Sequence, residues 1–212
     1  MLKIAVFGSG RGSNFKAILD AIHYGQLPDI RIVLVASNNS DAGILDLART
    51  AGLPFRHISQ KQFPSEDAFA AGLLAALQKA AVDVIVLAGY MKHLPASVVA
   101  AYRHRILNIH PALLPAFGGT GMYGLRVHQA VLASHESLTG ATVHIVDEEY
   151  DHGPIVLQRT VPVLASDSPE SLAARVLEME HSVLPEAIRL FAEGRVSVIN
   201  GQSHVHISPL QE

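Results

Sequence analysis

The chain opens with an apolar run, Leu2–Phe7, that passes directly into Gly8-Ser9-Gly10-Arg11-Gly12 and then into an amphipathic segment. A strand followed at once by a glycine-rich loop and a helix narrows the fold more than any other feature, because it begins a β-α-β alternation. Ile30–Ala36, Val82–Ala88 and Ile106–Ile109 repeat the apolar run, each brief and rich in Val, Ile or Leu, as in strands buried on both faces. Between them, Phe15, Ile18, Leu19 and Ile22, and then Ile44, Leu47, Ala48 and Ala51, recur at helical spacing and give one apolar stripe each. Ser40 is placed to cap the second helix and Gly52 to end it, while Ser65 with Glu66 and Asp67 opens a third. The order predicts an α/β fold, Rossmann-like, with a mostly parallel central sheet and helices on both faces.

After Gly140 the pattern changes. Ala141–Val146 and Ile155–Val163 are strand-like and flank a polar loop. Asp167-Ser168-Pro169 starts a long helix, in which Pro185 is expected to make a kink and which Gly194 is expected to end. A short strand is expected at Arg195–Ile199, then a frayed end. No repeat, linker or low-complexity tract divides the chain, so 1–200 is expected to be one domain and 201–212 a C-terminal tail.

The 212 residues include no cysteine, which excludes disulfides, thiolate metal sites and Cys nucleophiles. A net charge of −3 without a Lys/Arg cluster argues against nucleic acid and anionic membranes as partners. No apolar run approaches the roughly 20 residues of a membrane helix, and no signal peptide is visible, so a cytoplasmic protein is expected.

Two local patterns carry chemistry. Glycine at 8, 10 and 12, just before a helix, allows close approach to an anion on helix N–H groups. A plain strand-to-helix turn needs fewer glycines. The spacing is neither the dinucleotide fingerprint nor a Walker A loop. Asn108 and His110, two apart on a strand, share a face at its C-terminal end, where open α/β sheets bind ligands. Asn supplies a donor for a developing oxyanion, and His a proton near neutral pH. Asp147-Glu148-Glu149-Tyr150-Asp151 offers four carboxylates within reach of His110, and a neighbouring carboxylate favours the imidazolium. Glu148 and Glu149 fit a solvated turn better. His144 alternates with Thr142 on the strand leading to that loop, and both are expected to support the site. The 12 histidines are scattered and form no HExxH, so no metal is expected; His23, His57 and His104 are read as ordinary surface or core residues.

Taken in order, GSGRGSN (8–14), VLAGYM (86–91), LNIHPALLP (107–115) and DHGPIVLQ (151–158) resemble the glycinamide ribonucleotide formyltransferases over nearly all of 1–200. The resemblance implies 10-formyltetrahydrofolate as the formyl donor, used as a co-substrate without a metal. It implies the amine of 5-phosphoribosylglycinamide as acceptor, and a monomer or homodimer. It implies Asn108, His110 and Asp151 as catalytic residues; Gly12, Ser13 and Asn14 at the acceptor's phosphate; Glu180 at the acceptor; and Tyr90, Met91, Lys92, His93 and Leu94 along the folate. Lys92 stands where the family often has Arg. Ala116–Arg126 resembles a longer glycine-rich loop of many bacterial members, expected to cover the site. Glu66 and Leu177 stand near positions where some members carry a basic residue for the phosphate, leaving Arg11 and Arg126 as candidates. Formyltetrahydrofolate deformylase shares the Asn-His-Asp core, but its members usually begin with a regulatory domain. Methionyl-tRNA formyltransferase usually adds a C-terminal tRNA domain. A catalytically dead nucleotide-binding module is the reading from another class.

Overall fold

The computed structural model describes residues 1–199 and 202–205. Seven strands form one sheet, in the order β3-β2-β1-β4-β5-β6-β7. They are β1 (Leu2–Phe7), β2 (Ile30–Ser37), β3 (Phe55–His57), β4 (Val84–Leu87), β5 (Ile106–His110), β6 (Leu138–Ile145) and β7 (Ile155–Pro162). The first five pair in parallel, while β6 joins β5, and β7 joins β6, antiparallel. This is the mostly parallel sheet expected.

Alternation along β1 builds a core on each face. Ile4 and Val6 pack with α1 (Ser13–His23), α2 (Gly43–Thr50), α5 (Leu125–Ala133) and α6 (Pro169–Ala192). Ala5 and Phe7 pack with α3 (Glu66–Lys79) and α4 (Ala96–Ala101). Because β2 and β4 flank β1 on opposite sides, chain direction switches there, and a crevice opens beyond the strands' C-terminal ends.

Several boundaries differ from expectation. The N-cap of α2 is Ala42, not Ser40, and no side chain caps it. The Ile44 N–H instead reaches the Gly10 carbonyl at 3.1 Å, so the glycine-rich loop satisfies the helix end. Gly52 does follow the helix in the left-handed region, φ 66°. Ser65 caps α3 through the Ala68 N–H, and Ser168 caps α6 with Ser171 in return. Helix α6 continues through Pro185 to Ala192. β3, α4 and α5 were not expected; β3 is three exposed residues without an apolar run to announce it. Within the expected tail, Gln202–Val205 form β9, paired antiparallel with β8 (Val196–Ile199), while 201 and 206–212 lie outside the described residues. Among the described residues no helix is long and apolar enough to cross a membrane.

Candidate active site

Strand β5 carries Asn108 and His110 to the crevice, and the antiparallel register sets His144 of β6 opposite Asn108 and Thr142 opposite His110. Asn108 Nδ2 lies 3.0 Å from His144 Nε2 and 3.5 Å from Asp151 Oδ1. His144 Nδ1 meets the Ile145 carbonyl at 3.2 Å, so that nitrogen donates and Nε2 accepts from the Asn108 amide. The amide nitrogen of Asn108 is thereby turned toward Asp151.

Asp151 leaves the β6–β7 loop with φ 54°, a left-handed conformation that Asp tolerates better than most residues. Gly153 sits so close to the Ile145 carbonyl that no Cβ would fit, which holds the turn against β6. The Asp151 carboxylate accepts the Gly119 N–H at 3.0 Å, and its oxygens lie 3.5 Å from His110 Nδ1 and 3.6 Å from His144 Nε2. Burial pushes this carboxyl up, but His144, His110 and the Gly119 N–H outweigh it and hold it below the usual carboxylate range.

His110 is 3% exposed. Its Nε2 lies 2.9 Å from the Phe117 carbonyl, which can only accept, so Nε2 carries the proton and a neutral ring presents a lone pair at Nδ1. Burial pulls the His110 pKa below its ordinary value; Asp151 and the Phe117 carbonyl offset this in part, and His144 adds to it. The expectation that a carboxylate would hold His110 as imidazolium is therefore corrected, because desolvation wins. Thr142 is buried behind the site: its hydroxyl donates to the Ala112 carbonyl at 2.6 Å and accepts from the Leu114 N–H at 3.1 Å. It anchors the strand exit after His110.

Asn108, His110, His144 and Asp151 line a cavity of about 630 Å³. One wall is Tyr90–Leu94, with Tyr90 edge-on to Phe7, Leu94 buried, and Met91, Lys92 and His93 exposed. Burial pushes the Tyr90 hydroxyl up to about 12. Arg11 and Glu180 also line it. Glu180 is 8% exposed, accepts from Asn14 Nδ2 at 2.6 Å, and has its pKa raised to about 6, by burial against the pull of Asn14. Gly12 and Asn14 do not line this cavity, and Ser13 faces a separate depression between α1 and α6. The structure joins that loop to the site through Asn14 and Glu180.

Glu148 and Glu149 are exposed, as a solvated turn requires, and His23, His57 and His104 are exposed as well. Sequence reasoning missed His128, which is 4% exposed in the cavity wall, with Nδ1 buried and unpartnered, and Tyr123, on which Arg126 stacks. Both lie on or beside α5, whose start is set by the loop Ala116–Arg126 and not by an apolar stripe. Among the described residues no group of three or more His, Cys, Asp or Glu is arranged to hold a metal ion.

Residues 2–188 match the family described as formyl transferase. The chain belongs to that family. It is 45% identical over 195 residues to the chloroplastic phosphoribosylglycinamide formyltransferase of Arabidopsis thaliana, covering 92% of this chain and 66% of the relative, so it spans about two thirds of that longer protein. The crystal structure of glycinamide ribonucleotide transformylase 1 from Symbiobacterium toebii superposes with a TM-score of 0.91 at 42% identity, covering 98% of this chain and 95% of that one. A formyltetrahydrofolate deformylase from Pseudomonas syringae is less similar, with a TM-score of 0.86 and 28% identity, covering 97% of this chain and 66% of that one.

Proposed function

We propose that the protein transfers the formyl group of 10-formyltetrahydrofolate to the amine of 5-phosphoribosylglycinamide, giving formylglycinamide ribonucleotide and tetrahydrofolate in purine synthesis. The observation that carries this reading is the placing of Asn108, His110 and Asp151, each of the first two 3.5 Å from Asp151, on the wall of one cavity. Tyr90–Leu94 take the folate; Glu180, and the loop Gly12–Asn14 behind it, take the ribonucleotide.

The acceptor nitrogen attacks the formyl carbon, and the carbonyl electron pair moves to oxygen. Asn108 Nδ2–H donates to that oxygen as its charge grows. Neutral His110 takes the amine proton at Nδ1 and returns it to the folate nitrogen as the old carbon–nitrogen bond breaks. Asp151 stays ionised and meets the imidazolium only once it forms, so the attraction stabilises the transition state more than the resting enzyme. Positioning and electrostatics of this kind account for acyl transfer through the chain's own residues. A cytoplasmic location, a single domain over 1–200 and a monomer or homodimer accompany the proposal.

The test is to follow conversion of 10-formyltetrahydrofolate to tetrahydrofolate with and without glycinamide ribonucleotide. Turnover that requires the ribonucleotide is expected. Turnover without it makes water the acceptor and the protein a deformylase. No turnover in either case defeats both.

A further inference from the structure

One short backbone segment, Phe117-Gly118-Gly119, touches both His110 and Asp151. The Phe117 carbonyl accepts the His110 Nε2–H at 2.9 Å, and the Gly119 N–H donates to Asp151 Oδ2 at 3.0 Å. Gly118 lies between them, where a Cβ would meet Leu114 Cδ2 at 2.5 Å and Asp151 Cβ at 3.1 Å. Phe117 itself has φ 57°, a left-handed conformation that bulky side chains rarely adopt. Its ring packs against the core, while the unusual dihedral aims its carbonyl at His110.

A neutral imidazole has one ring proton, and two acceptors compete for that of His110. Asp151 Oδ2 is charged and lies 3.5 Å from Nδ1, so it draws the proton to Nδ1. With the proton there, His110 has no lone pair at Nδ1 to accept another. The Phe117 carbonyl is uncharged but sits at hydrogen-bonding distance from Nε2 and draws the proton the other way. The Gly119 N–H adds to this, because it occupies the same Oδ2 that an Nδ1–H would seek. Both backbone bonds therefore favour one tautomer, with the proton on Nε2 and a bare lone pair on Nδ1. We propose that Phe117–Gly119 is a positioning segment that selects the His110 tautomer against the pull of Asp151, and that left-handed Phe117 is the residue that sets it. Its catalytic consequence rests on the function proposed above; the tautomer itself is a property of the free protein.

The test separates the backbone of Phe117 from its ring. Phe117→Gly and Phe117→Val both remove the ring, but Gly enters the left-handed region freely and β-branched Val resists it. Nitrogen NMR of the His110 ring in the free enzyme reads which nitrogen carries the proton. Nε2–H is expected in the wild type and in Phe117→Gly, and Nδ1–H as the main form in Phe117→Val. Turnover with 10-formyltetrahydrofolate and glycinamide ribonucleotide is expected to fall about 10²-fold in kcat for Phe117→Val, the scale of a lost general base, and much less for Phe117→Gly, with little change in either KM. If the ring's packing were what matters, Gly would do at least as much damage as Val; that order in tautomer and kcat would overturn the proposal. An Nδ1–H tautomer in the wild type would overturn it as well. Gly118→Ala gives a second reading if Phe117→Val does not fold. Its added Cβ is expected to press the segment away from Asp151 and to shift the proton to Nδ1, and an unchanged tautomer and kcat in that variant count against the proposal. If the wild type shows no turnover, the proposed function fails separately, and the NMR comparison still decides whether the segment selects the tautomer.

Discussion

Asn14 Nδ2 donates to Glu180 Oε2 across 2.6 Å, tying the first turn of α1 to the middle of α6, 166 residues away in sequence. One hydrogen bond satisfies the carboxylate only in part, and burial raises the Glu180 pKa from 4.5 to about 6. The pair therefore sets an energetic cost at the cavity wall.

Between pH 4.5 and about 6 the folded protein holds a proton on Glu180 that the unfolded chain has released, so stability falls as pH rises through that window. The full cost above it is about 2 kcal/mol. Glu180→Gln is expected to be more stable than the wild type at pH 8 by up to that amount, and to differ little at pH 4.5. Urea unfolding at the two pH values checks this. The same stability gain at both would show that desolvation of the charge is not its source.

The neutral state of His110 is a second expectation. NMR titration of its ring should give a midpoint below 6.5, because burial outweighs Asp151. Asp151 raises that midpoint, so Asp151→Asn should lower it further while reducing turnover by at least about 10²-fold, as losing a transition-state charge contact does. A midpoint above 6.5 in the wild type would remove His110 from the role of initial proton acceptor.

Gly12 is a steric keystone. A Cβ there would lie 2.8 Å from the Ile44 Cα, and φ is already 81°. Gly12→Ala is expected to cost about 2–4 kcal/mol, from left-handed strain plus overpacking. Gly10→Ala, where a Cβ meets nothing within 4 Å, is expected to cost far less. Thermal unfolding of the two variants side by side makes the comparison, and equal costs would contradict it.

How far the sequence could be read depended on the range of the interactions involved. The parallel strands were legible because buried strands need continuous apolar runs, and Asn108 and His110 share a face because a strand repeats every two residues. The cap of α2 was misread: Ser40 has the right chemistry, but Gly10, more than thirty residues earlier, supplies the partner. β3 and α5 escaped because packing and loop geometry, not apolar periodicity, define them.

By itself, then, the sequence determined a Rossmann-like sheet, a glycine loop at its first turn, and an Asn-x-His pair at the end of a strand, since each follows from local periodicity and backbone freedom. Only the tertiary structure decided which of four nearby carboxylates reaches His110, through the left-handed turn at Asp151 packed on β6 by Gly153. It also decided that burial lowers the His110 pKa, that Glu180 is buried against Asn14, and that Arg11 lies in the cavity wall. Desolvation and long-range charge depend on what surrounds a group in space, and no spacing along the chain encodes that directly.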